Sequence, residues 1–273
     1  MFDFIYPETK VAMEAAYEAG KAVLEMYNCD FSAMVKEDKS PLTLADLKSN
    51  EIIIKHLSKT GHYILSEELA DNLERLNRSK LWIIDPIDGT KEFINKTGEF
   101  SIMIALVEDN QPVIGLVYQP TLDKLFLAEK GNGAFKIEKG QWHKLRTSNN
   151  QNIRHWKAVV SRHHLGDKEK DFLKFLNISN FQSKGSAGLK IGDICDSKAE
   201  IYFSFTDKIK QWDTCAAYCL ITEAGGKMTD LNGEDLIFNI EILNHQQGLL
   251  VTNGVIHDLI LDKLQEFLRF AKH

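Results

Sequence analysis

The stretch LWIIDPIDGTKEF, Leu81 to Phe93, ends an apolar run with two aspartates, Asp85 and Asp88, set three positions apart around Pro86. Two carboxylates at the tip of a buried strand repel each other unless a positive charge lies between them. The spacing Asp-Pro-Ile-Asp-Gly can turn both carboxylates and the Ile87 carbonyl to one side. An all-oxygen set of that kind suits a hard cation such as Mg²⁺. Gly89 permits close backbone approach, and the amides of Gly89 and Thr90 can then face a phosphate at a helix start. Two more acidic residues sit at the ends of expected elements: Glu67 after YIL in LSEEL, and Asp213 at the opening of QWDTCAAYCLITEAGG. Each has a purely structural reading too, since Asp85-Pro86 suits a turn and Asp213 a helix N-cap. Together they point to metal-assisted phosphate chemistry. No Cys/His zinc spacing, GxxxxGK[ST] loop or GxSxG elbow competes with that reading.

The elements that must position these residues can be read coarsely. Helical spacing predicts an amphipathic helix over 9–27 and a second over 43–59, with Leu44, Leu47, Ile53, Ile54 and Leu57 toward the core. Short apolar runs predict strands at 63–65, 81–84, 100–107 and 113–118, the last two joined by a hairpin connection over 108–112. Gly131-Asn132-Gly133 marks another turn. From Lys157 onward, strand-like and helix-like segments alternate: 158–161, 168–176, 188–195, 200–205, 213–224, 248–252 and 256–270. The first half therefore reads as α+β and the second as α/β. A boundary is expected near 146–157, so that 1–150 carries most candidate ligands and 151–273 carries Asp213.

The net charge of -6, from 33 basic and 39 acidic residues, lacks the basic excess of a nucleic-acid scaffold, and no such partner is expected. A small anionic substrate is still compatible, because bound cations reverse the local field. The opening MFDFIYPETK has neither the basic nor the apolar segment of a secretory signal. No apolar run approaches the roughly 18 residues that span a bilayer. The four cysteines, Cys29, Cys195, Cys215 and Cys219, show no CxxC spacing and are expected as reduced thiols. A cytoplasmic location follows as an expectation, with at most peripheral attachment to the inner face of the cell membrane.

DPIDGTKEF, with SEE upstream and WDTCAA downstream, resembles the inositol monophosphatase superfamily of metal-dependent, lithium-sensitive phosphatases. Inositol monophosphatases typically continue this motif with Thr-Asn-Phe. Here Lys91-Glu92-Phe93 resembles the CysQ branch, the 3'(2'),5'-bisphosphate nucleotidases. KEDKSPLTLAD (Lys36 to Asp46), GEFSIMIAL (Gly98 to Leu106) and SRHH (Ser161 to His164) resemble that branch as well. The resemblance implies a layered αβαβα sandwich and hydrolysis of the 3'-phosphate of adenosine 3',5'-bisphosphate to AMP, a reaction beside sulfate assimilation. It implies two Mg²⁺ ions: one on Glu67, Asp85 and the Ile87 carbonyl, the other on Asp85, Asp88 and Asp213. A third, weaker cation near Glu67 and Glu68 would fit. Asp46 and Thr90 match the pair that polarises the attacking water, although Thr43-x-x-Asp46 is also a helix capping box.

Substrate contacts are implied at Glu67, Ile87, Asp88, Gly89, Thr90, His164, Gly185, Ser186, Lys190 and Asp213, with Lys190 and His164 near the non-reacting phosphate or the ribose. Two departures bear on nucleotide specificity. Ala187-Gly188 stands where related chains often carry Ser-Ser, and no arginine follows Tyr202, so Lys208 or Lys210 would have to substitute. An inositol-phosphate or sugar-phosphate phosphatase on the same scaffold is the nearest rival. A catalytically dead binding protein would show damage in the ligand set, which is intact. The chain is expected as a monomer or homodimer.

Overall fold

The computed structural model describes residues 3–29, 33–35 and 41–270. Residues 36–40, the first part of KEDKSPLTLAD, lie outside the described residues.

Helix α1 (Glu8–Tyr27), strands β1 (Ala33–Val35) and β2 (Pro41–Thr43), and helix α2 (Leu44–Leu57) come first. The strands β3 (Tyr63–Ser66), β4 (Lys80–Asp88), β5 (Ser101–Glu108), β6 (Gln111–Gln119), β7 (Lys124–Glu129), β8 (Gly133–Glu138) and β9 (Gln141–Lys144) form one seven-stranded sheet in chain order. The short helix α3 (Thr90–Ile94) lies between β4 and β5. Only β3 and β4 pair in parallel there. A five-stranded sheet orders β10 (Lys157–Ser161), β11 (Asn180–Lys184), β12 (Ile201–Ser204), β13 (Lys227–Thr229) and β14 (Leu249–Thr252) as β11-β10-β12-β14-β13. The remaining helices are α4 (Asp167–Phe175), α5 (Ala187–Cys195), α6 (Gln211–Glu223) and α7 (His257–Phe270).

Strands that read as continuous apolar runs belong to sheets covered on both faces. β4 illustrates this: Trp82 and Ile84 pack with α1 and α2, while Leu81 and Ile83 join α5 and α6 on the opposite face. The small sheet repeats the pattern. Val159, Tyr202 and Val251 face the central helices, and Ala158, Phe203 and Leu250 face α4 and α7. The result is the expected five-layer αβαβα sandwich. Its central layer explains the composition of α6, whose Trp212, Cys215, Ala216, Cys219, Leu220 and Ile221 are all buried. A helix pressed between two sheets has no face left for water.

Three local expectations need correction. Leu44 and Leu47 are exposed, at 54% and 41%, whereas Ile53 and Leu57 are buried and Ile54 half-buried. The inward face of the first turns of α2 instead carries Asp46, Ser49 and Asn50; Ser49 and Asn50 reach hydrogen-bond partners at the end of the large sheet, and Asp46 reaches Thr90 just beyond it. β4 does not stop at Ile84. It continues through Asp88, with a register irregularity between Asp85 and Asp88 in place of a turn. Finally, Lys210 is the N-cap of α6 and Asp213 its third residue, so Asp213 is not the cap.

The contact between the large sheet and α6 is close enough to exclude a side chain at one position. A Cβ on Gly115 of β6 would lie 2.2 Å from the Ala216 carbonyl oxygen and 2.7 Å from Cys219 Cβ. Gly115→Ala should therefore lower the unfolding free energy by about 2 kcal/mol, an overpacking cost. Denaturant unfolding measures it, and an unchanged midpoint would contradict this packing.

Candidate active site

The parallel pairing of β3 with β4 sets Ser66 opposite Ile84. The residues that follow, Glu67 just past β3 and Asp85 still within β4, therefore lie side by side, and the Glu67 amide donates to the Ile84 carbonyl at 3.3 Å. The N-terminus of α6 brings Asp213 to the same place. One carboxylate oxygen from each of Glu67, Asp85 and Asp213 lies within 4.8 Å of the others.

Neighbouring hydrogen bonds hold this geometry. Asp85 Oδ1 accepts from the Ile87 amide at 3.0 Å, within the register irregularity near the end of β4. Ser49 donates to the Pro86 carbonyl at 2.8 Å, and Ser66 donates to Asn50 Oδ1 at 2.7 Å, so α2 braces both strand ends. Asp213 Oδ2 accepts from the Lys210 amide at 2.7 Å. Asp88 is placed differently: its Oδ2 accepts from Ser186 Oγ at 2.5 Å and from the Gly188 amide at 2.9 Å. It thereby ties the acidic motif to the start of α5.

Asp46 fulfils two roles at once. Its Oδ2 accepts from the Thr43 amide at 2.7 Å and from Thr43 Oγ1 at 2.6 Å, which is the capping box. Its Oδ1 accepts from Thr90 Oγ1 at 3.0 Å. The Ile87 carbonyl, 3.2 Å from the same hydroxyl, is the alternative and longer acceptor for its single proton. Gly89, at φ +97, makes the left-handed turn that brings Thr90 back over the carboxylates.

Glu67, Asp85, Ile87, Asp88, Thr90 and Asp213 line one cavity of about 280 Å³, and Asp46 is not on its wall but is reached through Thr90. Glu67, Asp85, Asp88 and Asp213 form an acidic side, and Lys91, Arg162, His163, His164, Lys190 and Lys208 a basic one. Gly185 and Ser186 lie on its wall. Lys190 is buried rather than a surface lysine. Its Nζ donates to the Ser186 carbonyl at 2.9 Å and lies 5.1 Å from the Tyr202 ring centre. Burial lowers its pKa, against the opposing pull of Asp88, Glu92, Asp213 and Glu99. His164 is shifted down as well, by partial burial and then by Lys91, His163, Lys190 and Lys208. Of the lysines considered as substitutes for a missing arginine, Lys208 reaches the cavity, while Lys210 lies over the Trp212 ring.

Burial above all, then the charges of Glu67, Asp88, Asp213 and Asp46, raises the Asp85 carboxyl well above the usual carboxylate range. Burial, Glu67 and Asp88 push Asp213 up to about 8. Carboxylates this close, with Asp85 buried and Glu67 and Asp213 half-buried, favour either protons or a cation, and their all-oxygen chemistry fits a hard divalent ion. Several participants were not read from the sequence. Glu92, Glu99, Arg162 and His163 stand in the motifs KEF, GEF and SRHH, but their pairing spans more than sixty residues and leaves no local signal. Ser101, hydrogen-bonded to Ser186 at 2.8 Å, is equally silent.

The inositol monophosphatase family model matches residues 6–269. The chain belongs to the inositol monophosphatase family. Within the family it is similar to the 3'(2'),5'-bisphosphate nucleotidase CysQ of Aggregatibacter actinomycetemcomitans, at 34% identity over 231 residues, 83% of this chain and 86% of that relative. Among solved structures, CysQ from Bacteroides thetaiotaomicron superposes with a TM-score of 0.80 at 31% identity, covering 92% of this chain and 99% of that one. The extragenic suppressor protein suhB from Bartonella henselae gives 0.82 at 25% identity, over 96% and 99%. The family is metal-dependent, in keeping with the carboxylate cluster. No described helix is long and apolar enough to cross a membrane.

A pH effect follows from the shift of Asp213 from 3.8 to about 8. Between those values the folded protein holds a proton that the unfolded chain has released, so stability falls as pH rises. His245 and His257, lowered by burial from 6.5 to about 4, act in the opposite sense below pH 6.5. The carboxylate effect is thus read between pH 6.5 and 8. In chelator, the melting temperature should drop across that window, and Mg²⁺ should flatten the profile. A melting temperature indifferent to Mg²⁺, or rising with pH there, would contradict the cation-binding reading.

Proposed function

We propose that this protein is a Mg²⁺-dependent 3'(2'),5'-bisphosphate nucleotidase that converts adenosine 3',5'-bisphosphate to AMP and phosphate. The observation that carries the reading is the Thr90–Asp46 hydrogen bond, 3.0 Å long, set at the edge of the Glu67, Asp85 and Asp213 cluster. A cation-binding cluster alone would serve storage or stability. A hydroxyl held beside it by a buried carboxylate is what hydrolysis needs.

Glu67, Asp85, Asp88, Asp213 and the Ile87 carbonyl would hold the cations, two Mg²⁺ with room for a third near Glu67 and Glu68. Bound there, Mg²⁺ supplies Lewis-acid stabilisation of the charge that builds on the phosphate and the leaving oxygen. The protein's own groups do the positioning. Thr90 Oγ1 donates its proton to Asp46, so its lone pairs remain to accept from a water and align it toward phosphorus. Asp46 keeps that orientation because Thr43 occupies its second oxygen. The Gly89 and Thr90 amides lie at the turn where a phosphate oxygen would rest. Across the cavity, Lys190 uses one proton on the Ser186 carbonyl and can offer the others to the non-reacting phosphate, with His164 beside it and Lys208 at the rim. Binding energy from that remote phosphate helps to orient the reacting one. Buried Cys195, Cys215 and Cys219 suit a reducing compartment, and we place the enzyme in the cytoplasm.

The nucleotide substrate is favoured over an inositol phosphate by the similarity to CysQ proteins. Phosphate release from adenosine 3',5'-bisphosphate and from inositol 1-phosphate, measured side by side with Mg²⁺, decides between them. The nucleotide should turn over faster and Li⁺ should inhibit; a preference for inositol 1-phosphate would overturn the assignment. Asp85→Asn should cut turnover by about a hundredfold or more, the scale of a lost electrostatic stabiliser, with the fold intact by circular dichroism. Near-normal turnover would rule out Asp85 as a ligand. Thr90→Ala should lower kcat about a hundredfold with little change in Mg²⁺ affinity, the signature of an interaction made in the transition state. Weakened Mg²⁺ binding with unchanged kcat at saturation would assign Thr90 to the metal instead.

A further inference from the structure

The segment between β4 and β5 carries two glutamates outside the chemistry described above, Glu92 and Glu99. Glu92 is only 3% exposed, and carboxylates are rarely buried so deeply without a partner. Its Oε1 lies 2.7 Å from His163 Nε2 but makes no well-directed hydrogen bond, so the contact is an ion pair when the imidazole is protonated. Its methylene stem lies flat against Gly185, where a Cβ would come within 2.2 Å of Glu92 Cγ. Glu99 grips the same two segments. Its Oε2 accepts from Arg162 Nη2 at 2.6 Å and from the Gly185 amide at 2.8 Å. The Arg162 amide in turn donates to the Lys184 carbonyl at 3.2 Å. The loop after β10 and the hinge before α5 are thereby fastened to the chain that leaves the acidic motif.

We propose that Glu92 is a positioning residue for substrate selection: paired with His163, it sets the span between the acidic side of the cavity and the wall bearing His164 and Lys190. The inference rests on the nucleotidase reading, in which the reacting phosphate meets the carboxylates and a second phosphate meets that wall. Two phosphates on one ribose have a limited range of separations, so a displaced wall weakens the second contact and leaves the first intact. A substrate with one phosphate needs only the acidic side. Lys91-Glu92-Phe93 and SRHH thus become two halves of one contact. The Thr-Asn-Phe typical of inositol monophosphatases has no carboxylate at that position to make it.

Glu92→Gln keeps the shape and removes the charge. In the protein with Mg²⁺, it should raise KM for adenosine 3',5'-bisphosphate about fivefold, the scale of an ion pair exposed on its His163 side. Hydrolysis of adenosine 3'-monophosphate should stay within about twofold of the unsubstituted protein, since no second phosphate is read. His163→Asn should give the same rise, and the double variant no more than either alone, because both remove one interaction. Hydrogen exchange at the amides of Arg162, His164 and Gly185 should quicken in Glu92→Gln. Equal losses on both substrates, or an unchanged KM for the bisphosphate, would overturn the proposal. An unsubstituted enzyme that prefers inositol 1-phosphate would instead defeat the nucleotidase reading. In that case exchange alone judges the contact: quickened exchange upholds it and unchanged exchange overturns it.

Discussion

Mutual repulsion among crowded carboxylates, one buried and two half-buried, is the constraint around which this molecule is organised. Glu67, Asp85 and Asp213 come from three separate elements and converge within 4.8 Å. Burial and neighbouring charge leave Asp85 and Asp213 strongly disfavoured as anions in the protein alone. No chain adopts such an arrangement for stability. It persists because the surrounding layers over-determine it. β3 and β4 run parallel, α6 is wedged between two sheets, and Ser49 and Asn50 of α2 brace the two strand ends. The stability stored in the sandwich is what allows the site to remain poised for cations.

The second consequence is a division of labour across the cavity. The end of the large sheet supplies most of the acidic side, and the edge of the small sheet with α5 supplies the basic wall. The two are joined at specific points: Asp88 to Ser186 and Gly188, Glu99 to Arg162 and Gly185, and Glu92 to His163. The partly exposed ion pairs among them add little net stability, and their effect is on geometry. They suit a site that must hold two groups of one substrate at a set separation.

Much of this was legible in the sequence. The strands of the large sheet that carry unbroken apolar runs, β4 to β6, could be read directly, as could helices α1, α4, α5 and α7. The acidic residues announced themselves by type and by position at element ends. What failed has physical causes. Leu44 and Leu47 followed the helical apolar pattern, yet α2 turns its polar residues inward because the site needs them. β9 (QWHK) and β11 (NFQSK) lie at sheet edges and are largely exposed, so neither shows strand-like burial in its composition. Asp213 looked like a cap because a third-position carboxylate that bonds back to Lys210 has the same local signature. The pairings of Glu92 and Glu99 depend on tertiary proximity, for which periodicity offers no sign.

The central claim is that Glu67, Asp85 and Asp213 form a divalent-cation site beside the Thr90–Asp46 pair. Anomalous diffraction from crystals grown with Mn²⁺ in place of Mg²⁺ tests it most directly. The account predicts strong peaks bonded to oxygens of Glu67, Asp85 and Asp213, with Thr90 Oγ1 facing the space beside them. A map with no peak at these carboxylates, or with manganese bound only elsewhere on the protein, would contradict it.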